Sequence, residues 1–254
     1  MLRISKKIGL RAAEILYEEQ DAILRFCKNA KFLRVDVLSR NKLLLSEKYI
    51  PVSTRPTPVV VLQGKTKEQV LASFKKNTRN EIRRSYKLRD YKFVKDDATA
   101  KAYTCYANFE RSQGRVPVGK KYFLRLTIFA AISENEIMSA IACIEARPVL
   151  KVHSIFSTRL TASTDQCKRE VGYVSRRLVY DMCCYGIDEG YDELDLAYVN
   201  FTDPAKKGIT NFKMQFNPEV KQEYRYIYKS KVYSAVEPLY FAAIGLLRNV
   251  WARI

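Results

Sequence analysis

The chain has 254 residues, 47% hydrophobic and 28% charged, a globular composition that excludes extensive disorder. Lysine and arginine number 45 against 27 acidic residues, a formal net charge of +18 that favours anionic partners. Six cysteines without a CxxC pair and one histidine, His153, exclude a Cys/His zinc centre and predict no metal site.

The N-terminal segment is ambiguous: Leu2–Ile4 fits a strand, and Arg11–Cys27 places Ile15, Leu16, Ile23 and Phe26 near helical spacing. Phe32–Leu38 alternates with period two and reads as a strand. Pro51, Pro56 and Pro58 punctuate a connection, and Val59–Leu62 then forms a short buried strand. The stretch 66–92 reads as one helix with a capping box at Thr66 and Gln69 and a stripe of Leu71, Phe74, Thr78, Ile82 and Tyr86. Its other faces carry Lys75, Lys76, Arg79, Arg83, Arg84, Lys87 and Arg89. Two readings fit that cationic side: a solvated face in a basic protein, or a site for a polyanion such as a diphosphate, a tRNA backbone or an acidic membrane.

Tyr91–Val94 predicts a strand and Ala98–Arg111 a helix, followed by a turn-rich loop over 112–119 and a short helix from Lys121. Phe129–Ile132, Ile137–Ala146 and Val149–Thr158 form a meander with turns at Glu134-Asn135 and Arg147-Pro148. A long helix runs from about Lys168 to Glu189 and stops at Gly190, with a strand over Tyr191–Leu196. A loop to Lys207, a short helix over Gly208–Phe216, a strand over Glu219–Tyr228 and a C-terminal amphipathic helix complete the order. That helix carries Tyr240, Ala243, Leu247, Val250 and Ile254 on its stripe. The order predicts an α+β architecture in which helices flank a mainly antiparallel mixed sheet, in three layers. Residues 1–50 form an N-terminal strand and helix segment, 51–234 the main domain, and 235–254 the terminal helix.

Three segments carry a family resemblance. Ser73-Phe74-Lys75-Lys76-Asn77-Thr78-Arg79-Asn80-Glu81-Ile82-Arg83-Arg84 resembles an S-x-K-x-R-x-x-I-R-R/K helix. Gly186 to Leu196 resembles a helix, then Gly-Tyr/Phe, then a strand ending in Asp-Leu. Gly208-Ile209 with Phe212-Lys213 and Phe216 resembles GI-x-x-FK-x-x-F. Together, over roughly residues 57–228, these are similar to the Fem-type branch of the GNAT (N-acyltransferase) fold, which includes peptidoglycan aminoacyltransferases. Ala197-Tyr198 stand where that branch has Gly-Gly, and Asn217 where it has Gly.

The resemblance implies transfer of an acyl or aminoacyl group to an amine, on a cell-envelope or polysaccharide precursor such as a nucleotide- or lipid-diphosphate-linked sugar. It implies no permanently bound cofactor and leaves the donor open among acyl-CoA, an acyl carrier and aminoacyl-tRNA. A conventional acyl-CoA transferase with an atypical donor loop, and a non-catalytic basic protein binding nucleic acid or membrane, are the alternatives. Asp195 at a strand end is a base, an amine-orienting carboxylate or a structural ion-pair member; His153 is a general base or a hydrogen-bonded sheet residue. Lys168 and Arg169 suit a phosphate at a helix start or face solvent. Lys213, Tyr198, Asn200 and a loop containing Arg115 are further substrate-binding candidates, beside Lys75, Lys76, Arg79 and Arg83. No apolar run reaches the ~20 residues of a membrane span and the start lacks a signal-peptide core, which predicts a cytoplasmic protein. The terminal helix, with Phe241, Arg248, Trp251 and Arg253, either docks on the protein or contacts the inner face of a membrane peripherally.

Overall fold

A computed structural model describes residues 2–7, 9–18, 20–29, 32–45 and 49–251. Its elements are β1 (Leu2–Lys7), β2 (Leu10–Leu16), α1 (Gln20–Asn29), β3 (Arg34–Ser39), β4 (Ile50–Val61), α2 (Lys67–Ser73), α3 (Lys76–Ser85), β5 (Lys92–Lys95) and α4 (Thr99–Ser112). After these come α5 (Lys120–Phe123), β6 (Thr127–Ser133), β7 (Glu136–Ala146), β8 (Val149–Ser157), α6 (Asp165–Asp188), β9 (Glu193–Asp195), α7 (Lys207–Met214), β10 (Glu219–Lys229) and α8 (Lys231–Trp251). They fall into two compact units, one of Met1–Arg55 with Gln222–Ile254 and one of Pro56–Lys221.

In the first unit β1 and β2 form an antiparallel hairpin, β2 runs parallel to β3, and β3 pairs antiparallel with β10. Ala13, Ile15, Val35, Val37 and Tyr226 from this sheet pack with Ile23 of α1. The helical spacing over Arg11–Cys27 is thus divided: its first part is a strand, because it pairs with β1 over Leu10–Ile15 and with β3 over Ala12–Leu16, which gives its peptide groups ladder partners in place of helical ones. Asp36 is buried and accepts from Arg34 and Arg225. Arg34 also reaches Glu237 and the Tyr233 hydroxyl, which fixes the first turns of α8. The side chains of Phe241 and of 243–251, and residues 252–254, lie outside the described residues, and with them most of the stripe expected for this helix.

The second unit is a mixed sheet in the order β4-β9-β8-β7-β6-β5, in which only β8 and β9 are parallel. The proline-rich segment expected as a connection belongs to β4. Proline lacks an N–H but keeps its carbonyl, and here the Pro56 and Pro58 carbonyls accept from Val199 and Leu196. Along β6, Phe129 and Ala131 join the cluster of α6 residues Val174, Leu178 and Met182. On the opposite face, Tyr106 of α4 packs on Phe123 and on Phe156 of β8, with ring centroids 4.8 and 5.7 Å apart. Helices therefore flank the sheet on both faces. Gly190 takes the left-handed φ of 71° that closes α6, and the Tyr191 N–H returns to the Gly186 carbonyl at 2.7 Å.

The expected single basic helix is broken. Thr66 and Gln69 form the capping box of α2, but Phe74 and Lys75 adopt extended ψ values of 154° and 145° before α3 begins. Phe74 drives the break: its buried ring sits edge-on to Phe216 at 5.2 Å and Tyr180 at 6.3 Å, and the Lys75 N–H donates to the Gln215 carbonyl. Burying that ring contributes about 2 kcal/mol, enough to override continuation through two residues. Leu71, Phe74, Thr78 and Ile82 still face inward across the break, whereas Tyr86, expected on the stripe, is exposed with the Arg177 guanidinium 4.0 Å from its ring centroid.

Arg177 also lies over Phe93, at 3.6 Å, and pairs with Asp181 at 3.5 Å. Burial raises the Asp181 carboxyl from 3.8 to about 6, with Arg177 only partly opposing it. A carboxyl whose folded pKa lies above its unfolded one binds its proton more tightly in the native state, so stability falls as pH rises between those values. Asp181→Asn is expected to stabilise the chain by on the order of 1–2 kcal/mol at pH 7, with the gain disappearing below about pH 4. Urea denaturation at both pH values measures it.

Candidate functional site

Lys151 and Asp195 are the last residues at which β8 and β9 pair. Beyond them the two strands separate. The chain after Asp195 turns toward β4, through the Leu196 and Val199 N–H groups, while β8 continues to Ser157 with no strand beside it on that side among the described residues. A parallel pair that opens in this way leaves a wedge in the middle of a sheet, and the wedge is a cleft of about 330 Å³.

One wall is β8 from Val152 to Ile155, where the register against β7 slips between Ala142 and Cys143 and leaves His153 as the extra residue of a bulge. Bulges re-aim side chains at sheet edges. The His153 ring packs near Tyr106 and Tyr122, with centroids 6.2 and 5.7 Å away, and Nδ1 lies 3.3 Å from the Ser154 hydroxyl. A second wall is α4, with Tyr106, Phe109 and Glu110, and a third is α7 with Ile209 and Lys213. Arg115 closes one side, held bidentate by Glu110 at 2.7 and 2.8 Å.

Beneath the cleft lies a buried charge cluster. Asp195 is fully buried, accepting from the Ala197 N–H at 2.6 Å and from Lys151 Nζ at 3.2 Å. Lys213, also buried, donates from Nζ to the carbonyls of Ala197 at 3.1 Å and Tyr198 at 2.9 Å. Burial lowers the Lys213 ammonium to about 8; Asp195 opposes this and Lys151 reinforces it. Asp195 is thus paired with Lys151 and close enough to Lys213 for its charge to act on that ammonium as well.

The structure brings His153, Arg115 and Lys213 of the expected site residues to this cleft and places Asp195 under it, off the lining. Tyr198 lends its carbonyl to Lys213, and Asn200 organises the loop that follows, its Oδ1 accepting from the Thr202 and Asp203 N–H groups. Lys75, Lys76, Arg83, Lys168 and Arg169 are not on the lining; Lys168 pairs with Asp165 at 3.3 Å. Arg79 caps α2, donating to the carbonyls of Ala72 and Phe74. Lys151 and Tyr106 are functional candidates that the sequence reading passed over. A lone lysine inside the apolar run Val149-Leu150-Lys151-Val152 was the available signal.

Ala197 and Asn217, which stand where the Fem-type pattern that the sequence resembles has glycine, both have left-handed φ, 61° and 47°. Asparagine tolerates that region; alanine does not. Ala197→Gly is expected to stabilise the chain by about 0.5–1 kcal/mol, read as a rise in Tm.

Neither a protein-family model nor a curated protein matches the sequence. Solved structures do. FemX matches with TM-score 0.59 at 12% identity, over 95% of this chain and 85% of its own. The C-terminal domain of a protein assigned as a lysylphosphatidylglycerol synthetase from Agrobacterium fabrum matches with TM-score 0.54 at 13% identity, over 89% and 80%. L-PGS from Bacillus licheniformis matches with TM-score 0.50 at 12% identity, over 91% and 81%. The chain shares the α+β fold of these three structures, a mixed sheet flanked by helices.

Proposed function

We propose that the protein is a Fem-like N-acyltransferase, moving an acyl or aminoacyl group from an activated carrier to an amine on a cell-envelope or polysaccharide precursor. The observation that carries this reading is the cleft between the diverging β8 and β9, with the Lys213 ammonium in its wall. Similarity of fold to FemX and to proteins named for lysylphosphatidylglycerol synthesis supports it.

The chemistry asks little of the protein beyond placement and charge. The acceptor nitrogen attacks the carbonyl carbon of the activated ester, and the carbonyl π pair moves onto oxygen. Lys213, with two protons already engaged on backbone carbonyls, directs its charge at that oxygen. His153 takes the proton from the attacking nitrogen, and the carrier leaves with its electron pair and is protonated as the carbonyl reforms. Asp195 acts through Lys151 and Ala197 as a positioning residue.

The test is transfer from acyl-CoA, an acyl carrier and aminoacyl-tRNA in turn to a simple primary amine and to a nucleotide-diphosphate-linked amino sugar. Amide formation with any one donor, dependent on Lys213, is expected. Absence of amide with all three overturns the reading.

A further inference from the structure

We propose that the mouth of the cleft docks on an anionic lipid leaflet through Phe201, Ile209, Lys206 and Lys207, so that the acceptor is met at the membrane surface. The inference deepens the transferase reading and rests on it only for that meaning. Phe201 stands 59% exposed at the tip of the loop between β9 and α7. The loop is held firmly: Asn200 Oδ1 accepts from the Thr202 N–H at 2.9 Å and the Asp203 N–H at 3.0 Å, and the Thr210 hydroxyl donates to the Asn200 carbonyl at 3.0 Å. Phe201 is therefore fixed in water beside the start of α7.

From there the helix leads straight into the cleft. Lys206, Ile209 and Lys213 follow at spacings of three and four, which puts them on one side of the helix. Lys213 is buried in the wall, Ile209 is 41% exposed on the lining, and Lys206 is exposed beyond it with Lys207. Across the cleft, Val116 is exposed next to Arg115. Glu110 is neutralised by Arg115 and Asp203 accepts the Ala205 N–H at 2.9 Å; with Lys206 and Lys207 the rim keeps a net positive charge beside its apolar groups.

Apolar side chains projecting among lysines match an interface of acyl chains beneath anionic headgroups. The aliphatic members favour that occupant over single-stranded nucleic acid, which is held by aromatic stacking. Among the described residues no helix is long and apolar enough to cross a membrane, and a peripheral contact needs none.

Vesicle co-sedimentation of the full chain tests this, using phosphatidylcholine alone against an equimolar mixture with phosphatidylglycerol. Binding is expected to the mixture only. Phe201→Ser should weaken it about tenfold, and Lys206→Glu with Lys207→Glu about thirtyfold or more. A control pair of the same charge change, Lys87→Glu with Arg89→Glu, should change it less than about threefold, because a field from outside the contact is screened. Phe201→Trp should show a blue-shifted emission quenched by brominated lipid, relative to the parent chain with its single Trp251. Equal loss from both charge pairs, an unquenched Phe201→Trp, or binding only to single-stranded RNA overturns the proposal. Because partition is measured without turnover, such a failure leaves the transferase reading intact, and a failed transfer assay leaves the docking result intact.

Discussion

Replacing Lys213 by Met is expected to lower kcat/KM for acyl transfer by about 10²–10³-fold, the cost of removing one charged stabiliser of a developing oxyanion. The same change is not expected to unfold the protein. Burial holds the Lys213 ammonium at about 8, below the usual lysine value of 10.5. A lysine whose folded pKa is depressed destabilises the native state while charged, and that penalty is lifted as pH rises from the folded toward the unfolded value. At pH 7 Lys213→Met removes it, a gain on the order of 2 kcal/mol, offset by two carbonyls that lose their donor. Activity lost with stability kept or raised marks a residue held in place for its chemistry. The pH profile distinguishes the charge from the shape. Wild-type activity should fall as pH passes about 8, where Lys213 loses its proton, and the Lys213→Arg variant should lack that limb because guanidinium stays charged. An alkaline limb that persists in Lys213→Arg removes Lys213 from this role.

Much of the second unit was legible because its sequence signals and its packing demand agree. The β6–β8 meander is a set of apolar runs, buried on both faces, divided by tight turns, and α6 is closed by a glycine in the left-handed region. The errors arose where tertiary contacts outweigh local period. Phe74 breaks a helix that periodicity continued, since both halves present their apolar side to α6 and keep one stripe in register. The strand at Leu10–Leu16 was hidden because Ile15, Leu16 and Ile23 fit a helix as well as a strand followed by a helix. The prolines of β4 read as punctuation although the carbonyls of Pro56 and Pro58 accept hydrogen bonds from the neighbouring chain segment.

The site was legible in part for a related reason. Arg115, His153 and Lys213 are far apart in sequence, and only the divergence of β8 from β9 makes them neighbours. Charge density along α3 drew attention to a solvent-facing surface, while the single buried lysine of β8 carried no periodic signal at all. In a chain of net charge +18, exposed cations are the background. The informative ones are those the fold removes from water, because only a function or a partner offsets the desolvation.

Asp195→Asn is expected to destabilise the chain by about 3–5 kcal/mol, the effect of removing one member of a buried ion pair. Asparagine still accepts from the Ala197 N–H, so the loss isolates the charge. Lys213 then remains buried without the carboxylate that raised its affinity for its proton. Urea denaturation measures the cost, and a double-mutant cycle assigns it. If Asp195 serves to neutralise the two lysines, Lys213→Met in the Asp195→Asn background should recover at least about 1 kcal/mol beyond the sum of the single changes. A general base behaves otherwise: Asp195→Asn would keep near wild-type stability, abolish turnover and show no coupling to Lys213. That second pattern would move proton removal from His153, on the cleft wall, to a carboxylate beneath its floor.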